Sequence, residues 1–139
     1  MLAPFDLNQV RHSWDEIWNS SNLELLDSIL NNCYLSHHLL NPVMGPEGVK
    51  QMVAAFQAAF PDLEFVIQDL IAAGDKVVMR WTMVGTHMHE LMGIPATGKR
   101  AELSGISIYR FVDGKTVESW DEVDFLRLLS QLEVFREAV

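Results

Sequence analysis

The feature that most constrains this chain is a change of hydrophobic period at Pro61. Before it, apolar side chains recur every three to four residues, the spacing of amphipathic helices; after it they alternate, the spacing of strands. Leu7, Val10, Trp14, Ile17 and Trp18 predict a helix over Leu7–Trp18, with Asp6 or Asn8 as its cap. Asn19-Ser20-Ser21-Asn22 breaks it, and Leu23, Leu26, Ile29 and Leu30 carry a short second helix. The run from Asn31 to Gly45 reads as irregular. Pro46 opens a third helix, carrying Val49, Met52, Val53, Phe56, Ala59 and Phe60, which must stop before Pro61.

Four strands are expected beyond that point: Phe65–Ala72, Lys76–His87, Arg100–Val112 and Lys115–Asp124. Gly74-Asp75 and Asp113-Gly114 supply tight turns, His89–Lys99 a loop, and Phe125–Glu137 a terminal helix. Val77, Met79, Trp81 and Met83 share one face of the second strand, and its other face is also partly apolar, so this strand is expected to be central. Helices followed by strands signal an α+β fold. The expected architecture is a curved antiparallel sheet of about four strands packed on three N-terminal helices, closed by a short C-terminal helix. Such a cone has an interior, and function is expected in an apolar pocket there.

At 139 residues the chain fits one domain spanning 1–139. A net charge of −9, without any Lys/Arg cluster, disfavours nucleic acid and anionic membranes as partners. The N-terminus lacks a signal-peptide pattern and no apolar run is long enough to span a bilayer, so a cytoplasmic location is expected. The single cysteine, Cys33, has no partner for an internal disulfide and reads as a small buried hydrophobe. No phosphate-binding glycine loop, nucleophile elbow or Cys-x-x-Cys is present, so dinucleotide cofactors and thiol chemistry have no support.

Asp124 is the foremost candidate for chemistry. Glu118, Trp120, Glu122 and Asp124 share a strand face unless a bulge intervenes. If Trp120 faces inward, Asp124 lies in an apolar setting where lost hydration favours proton exchange near neutral pH. Its other reading is the cap of the terminal helix. His87 and His89 lie two apart at a strand end, but His-x-His is a weak metal signal, and no metal is expected. Arg80 and Arg110 fall within strands and read either as members of ion pairs with Glu102, Glu118 or Asp124, or as substrate contacts. Phe56, Trp81 and Trp120 are core or pocket lining.

The second half resembles a known family. The matching residues are Ala59-Phe60-Pro61-Asp62-Leu63, Gly74 through Trp81, Gly85-Thr86-His87, and Gly93-Ile94-Pro95-Ala96-Thr97-Gly98-Lys99. Arg110 through Lys115, Glu118 through Asp124, and Leu128-Leu129-Ser130-Gln131-Leu132 continue the pattern. Together they resemble the SnoaL-like polyketide or ester cyclases, with departures at His89, Ala96 and Arg127. The resemblance implies a nuclear-transport-factor-2-like fold, homodimerisation through the sheet, and metal- and cofactor-free aldol ring closure of a small hydrophobic carbonyl substrate. It implies Asp124 as acid/base; Asp121, on the opposite strand face, is the poorer candidate. His87 or His38 would then hydrogen-bond the enolate oxygen, with Arg80 or Arg110 biasing the charge. Two other functions fit the same pattern: hydration or epoxide opening, and a non-catalytic dimeric small-molecule-binding module.

Overall fold

A computed structural model describes residues 5–37 and 43–133; His38 and the end of the expected terminal helix lie outside them. The element order is α1 (Leu7–Asn19), α2 (Leu25–Ile29), β1 (Leu30–Ser36), β2 (Val43–Met44), α3 (Gly45–Ala59), β3 (Glu64–Ala73), β4 (Lys76–Thr86), β5 (Arg100–Val112), β6 (Lys115–Val123) and α4 (Phe125–Gln131). The fold is α+β, as expected, with a curved sheet of order β2-β1-β6-β5-β4-β3 that does not close on itself.

Two corrections apply to the sheet. It has six strands, because the supposedly irregular segment after Leu30 supplies β1 and β2. It is also not wholly antiparallel, since β1 runs parallel to β6. The register explains why β1 escapes a periodicity search. Leu30 pairs with Thr116 but Leu35 with Glu118, so the irregularity between them breaks the two-residue period. Cys33, expected inside, is exposed on this irregular strand.

One face of the sheet is covered by helices. Val77, Met79, Trp81 and Met83 of β4 are buried there with Leu103, Tyr109 and Phe111 of β5. Val10, Trp14, Ile17 and Trp18 give α1 its buried stripe. Each large apolar side chain fully buried here contributes on the order of 1.5–3 kcal/mol. Side-chain amides tie the helices to the sheet. Asn19 accepts from the Phe65 N–H and donates to the Phe65 carbonyl, both at 2.8 Å, pairing the end of α1 with edge strand β3. Gln131 of α4 does the same for Glu102 of β5, at 2.8 Å in each direction. Gln57 of α3 donates to the carbonyls of Ile17 and Trp18 near the end of α1.

The other face carries a transverse apolar row. Ile71, Val78, Ile108 and Trp120 are successive strand partners across β3, β4, β5 and β6. Ile71 is 60 % exposed and Trp120 36 %. No helix among the described residues is long and apolar enough to cross a membrane.

Candidate active site

The face assignment on β6 decides where chemistry can occur. Arg110 pairs with Glu118 but Phe111 pairs with Thr116, so an irregularity near Val117 offsets the strand. Thr116 and Ser119 are buried beneath the helices, and Asp121 follows Ser119 on that inner face. Glu118, Trp120 and Glu122 share a face as expected, but it is the outer one. There the indole of Trp120 stacks on the His37 ring at 5.3 Å. The expectation that Trp120 faces a pocket is corrected: two carboxylates flank it, and a face carrying Glu118 and Glu122 belongs against solvent.

Asp124 lies beyond the end of β6 and is exposed. Its Oδ1 accepts from the Arg127 N–H at 3.1 Å, so it caps α4. The dry setting expected for it is absent, and the capping reading describes the contact it makes.

Asp121 is the carboxylate directed inward. Its Oδ2 accepts from Ser36 Oγ and from Ser119 Oγ, each at 2.7 Å. Tyr34 Oη lies 2.5 Å from Ser119 Oγ. Ser107 of β5 is the strand partner of Asp121, and its Oγ accepts from the Trp81 indole N–H at 3.1 Å. Tyr109, two residues on, is buried and stacks on Trp14 with centroids 5.4 Å apart. Among the described residues Asp121 Oδ1 accepts no hydrogen bond. The fold has thus gathered hydroxyls from β1, β5 and β6 around one carboxylate with one free oxygen.

Both phenols are held protonated. Burial pushes Tyr34 far above its ordinary value and the Asp121 charge adds to this, against opposing hydrogen bonds with Ser119 and Ser36. Burial likewise raises Tyr109, followed by the charge of Asp121 and the proximity of Tyr34, against an opposing hydrogen bond with Ser107. At neutral pH both are hydrogen-bond donors.

The other expected site residues do not converge on Asp121. His87 lies eight positions after Met79, which pairs with Ser107 in the row of Asp121. At about 3.3 Å per residue that is roughly 26 Å of strand. His87 is fully buried, with Nδ1 3.0 Å from Thr97 Oγ1, its ring 5.4 Å from that of Phe60, and Nε2 without a partner among the described residues. Its backbone N–H and carbonyl bond Lys99 and Gly98, so it fastens the 88–99 loop. His89 is exposed and shares no site with it. Arg80 and Arg110 belong to the outer face, where Arg80 Nε is 2.6 Å from Asp69 Oδ2 and Arg110 Nε is 2.6 Å from Glu118 Oε1. The ion-pair reading holds for both, with Asp69 an unforeseen partner. Trp81 is buried on the inner face beside the row of Asp121. Phe56 packs edge-on against Trp18 and lines a small void with Phe60 and Leu128. Among the described residues no group of three or more His, Cys, Asp or Glu side chains is clustered to hold a metal.

Two cavities lined by described residues are small. The void beside Phe56 measures about 10 Å³. A second cavity of about 70 Å³ lies under the start of α1, between Gln9, Ser13 and Trp14 and the β5–β6 hairpin. Both fall below the roughly 300–1,000 Å³ of a typical small-molecule pocket.

Comparison with known proteins agrees with this architecture. The family described as SnoaL-like polyketide cyclase matches residues 8–132. The aklanonic acid methyl ester cyclase DauD of Streptomyces sp. (strain C5) is 30 % identical over 109 residues, covering 71 % of this chain and 67 % of that protein. The aklanonic acid methyl ester cyclase DnrD of Streptomyces peucetius is 29 % identical over 121 residues, covering 84 % and 83 %. Among solved structures, TsrD from Streptomyces laurentii superposes with a TM-score of 0.84 at 30 % identity, covering 92 % of this chain and 95 % of that one. IdmH from Streptomyces antibioticus gives 0.78 at 30 %, covering 92 % and 99 %. The chain belongs to the SnoaL-like polyketide cyclase family.

Proposed function

We propose that this protein closes a ring in a small hydrophobic carbonyl compound by an intramolecular aldol reaction, with Asp121 as base. The observation that carries this reading is the asymmetry of the Asp121 carboxylate: Oδ2 is occupied by two serine hydroxyls while Oδ1 has no partner among the described residues. Oδ1 takes the proton from a carbon flanked by carbonyls. The resulting enolate carbon bonds to a second carbonyl of the same molecule, and the alkoxide so formed recovers the proton. Nothing is lost or gained, so the product is an isomer of the substrate. The phenol of Tyr109, protonated and close enough to feel the Asp121 charge, donates to the developing enolate oxygen. His87 has no part in this step, because its ring is committed at the far end of β4.

Reaching Asp121 from the 70 Å³ cavity requires movement. Trp14 lines the 70 Å³ cavity and stacks on Tyr109, so separating that pair joins the cavity to the surroundings of Asp121. The outer apolar row serves as the contact between two copies of the chain. Trp120→Glu is then expected to convert a dimer to a monomer in light scattering; an unchanged mass would remove that assignment.

The reaction is tested by incubating the protein with aklanonic acid methyl ester, the compound named for its curated relatives, and with smaller β-keto methyl esters. Chromatography should show a new species of unchanged mass that forms only with protein. Failure to isomerise any of them would overturn the proposal.

A further inference from the structure

We infer that Tyr34 and Ser119 are positioning residues that hold the Asp121 carboxylate in one orientation and present Oδ1 as the base. This rests on the reading of Asp121 above. The number of protons each hydroxyl carries fixes the direction of the chain. A serine hydroxyl has a single proton, and those of Ser36 and Ser119 both go to Asp121 Oδ2, at 2.7 Å each. Ser119, its proton committed, can only accept from Tyr34 Oη at 2.5 Å. The Tyr34 phenol is protonated and able to donate. The sequence is therefore Tyr34 to Ser119 to Asp121, with Ser36 as a second donor.

Strand geometry makes the arrangement rigid. Ser36 and Ser119 are direct partners in the parallel β1–β6 pair. Tyr34 precedes Ser36 by two residues and Asp121 follows Ser119 by two, so all four side chains emerge on the inner face. Tyr34, Ser36 and Ser119 are 3 %, 5 % and 0 % exposed, which excludes water as a substitute donor. A carboxylate held by a single hydrogen bond would rotate and exchange Oδ1 with Oδ2. Two donors fixed to Oδ2 prevent that, and Tyr34 keeps the Ser119 hydroxyl aimed.

The test uses 5-nitrobenzisoxazole, a compact carbon acid whose ring opens to a coloured cyanophenolate once a base removes its proton. Its turnover reports base reactivity without requiring the natural substrate. Tyr34→Phe removes one hydroxyl and little volume. It should lower kcat about tenfold and leave KM within about twofold, with the melting temperature little changed. In an Asp121→Asn background the same replacement should cost nothing further, because the group it positions is gone. Ser119→Ala should repeat this pattern. If Tyr34→Phe and Ser119→Ala keep full kcat while Asp121→Asn loses it, the positioning role is wrong and the base stands. If Asp121→Asn turns over the probe as fast as the unaltered protein, the base itself is wrong.

Discussion

Two polar groups sit on the inner face of the same sheet, and their surroundings differ in kind. Asp121 lies mid-sheet among hydroxyls from three strands, with one oxygen secured and the other without a partner among the described residues. His87 lies at the end of β4, wholly buried, with one nitrogen facing Thr97 and the other without a partner among the described residues. A buried orphan nitrogen costs roughly 1–3 kcal/mol, whereas a partly secured carboxylate is a group prepared to react. Burial alone therefore does not mark an active site. What separates the two is access: Asp121 is partly exposed, so its remaining oxygen can meet a substrate, whereas His87 is wholly enclosed.

The largest stability effect should come at the histidine. His87→Ala leaves a hole beneath the 88–99 loop and should cost about 2–4 kcal/mol in chemical denaturation. His87→Phe fills that space and relieves the orphan nitrogen, so it should cost about 1 kcal/mol or less. Both should leave the probe rate intact well below melting. A folded His87→Phe protein without activity would erase the contrast drawn here.

Gly105 comes next, because it keeps space open beside the row of Asp121. A Cβ there would lie 2.4 Å from Cζ2 of Trp81, against an indole that is held by Ser107. Gly105→Ala should destabilise by about 1–3 kcal/mol, read as a lowered melting temperature. It should also weaken the Asp121 setting, since Trp81 must move. Unchanged stability and rate would show that this flank of the site is loosely packed.

A smaller effect is expected at Asp124. Asp124→Ala removes the cap of α4 and should cost about 1 kcal/mol, with the rate within about twofold.

The smallest effects concern two carboxylates that take no part in either group. The Thr86 backbone N–H, and then its hydroxyl, hold Asp62 below its ordinary value; hydrogen bonds from His37 and then Arg110 do the same for Glu118. Because the folded values are depressed, the stability they confer is present above the unfolded values of 3.8 and 4.5 and is lost as pH falls through the folded ones. Asp62 is exposed and Glu118 half-buried at the surface, so the contribution is small and weakened by salt. Melting temperature should fall more steeply between about pH 5 and pH 3 in the unaltered protein than in an Asp62→Asn, Glu118→Gln double variant. Parallel curves would count against it.

Much of the fold was legible because β3 to β6 and the helices obey their periods: Val77, Met79, Trp81 and Met83 alternate inward as the sequence requires. The site was less legible for two local reasons. β1 hides behind an irregular register, so Tyr34 and Ser36 show no period, and their meeting with Ser119 and Asp121 joins positions 85 residues apart. On β6, the apolar bulk of Trp120 argues for the interior, while Glu118 and Glu122 on the same face argue for solvent; the charges prevail. Weighing those carboxylates first would have turned Ser119 and Asp121 inward and left Asp124 as the cap.

The most direct test sets the two acids against each other. Asp121→Asn and Asp124→Asn, prepared alike and shown to be folded, are assayed for ring closure of the same ester. The account predicts that Asp121→Asn loses about a hundredfold to ten-thousandfold in kcat, while Asp124→Asn stays within a few-fold. The reverse order, with Asp124→Asn inactive and Asp121→Asn near the original rate, would contradict it.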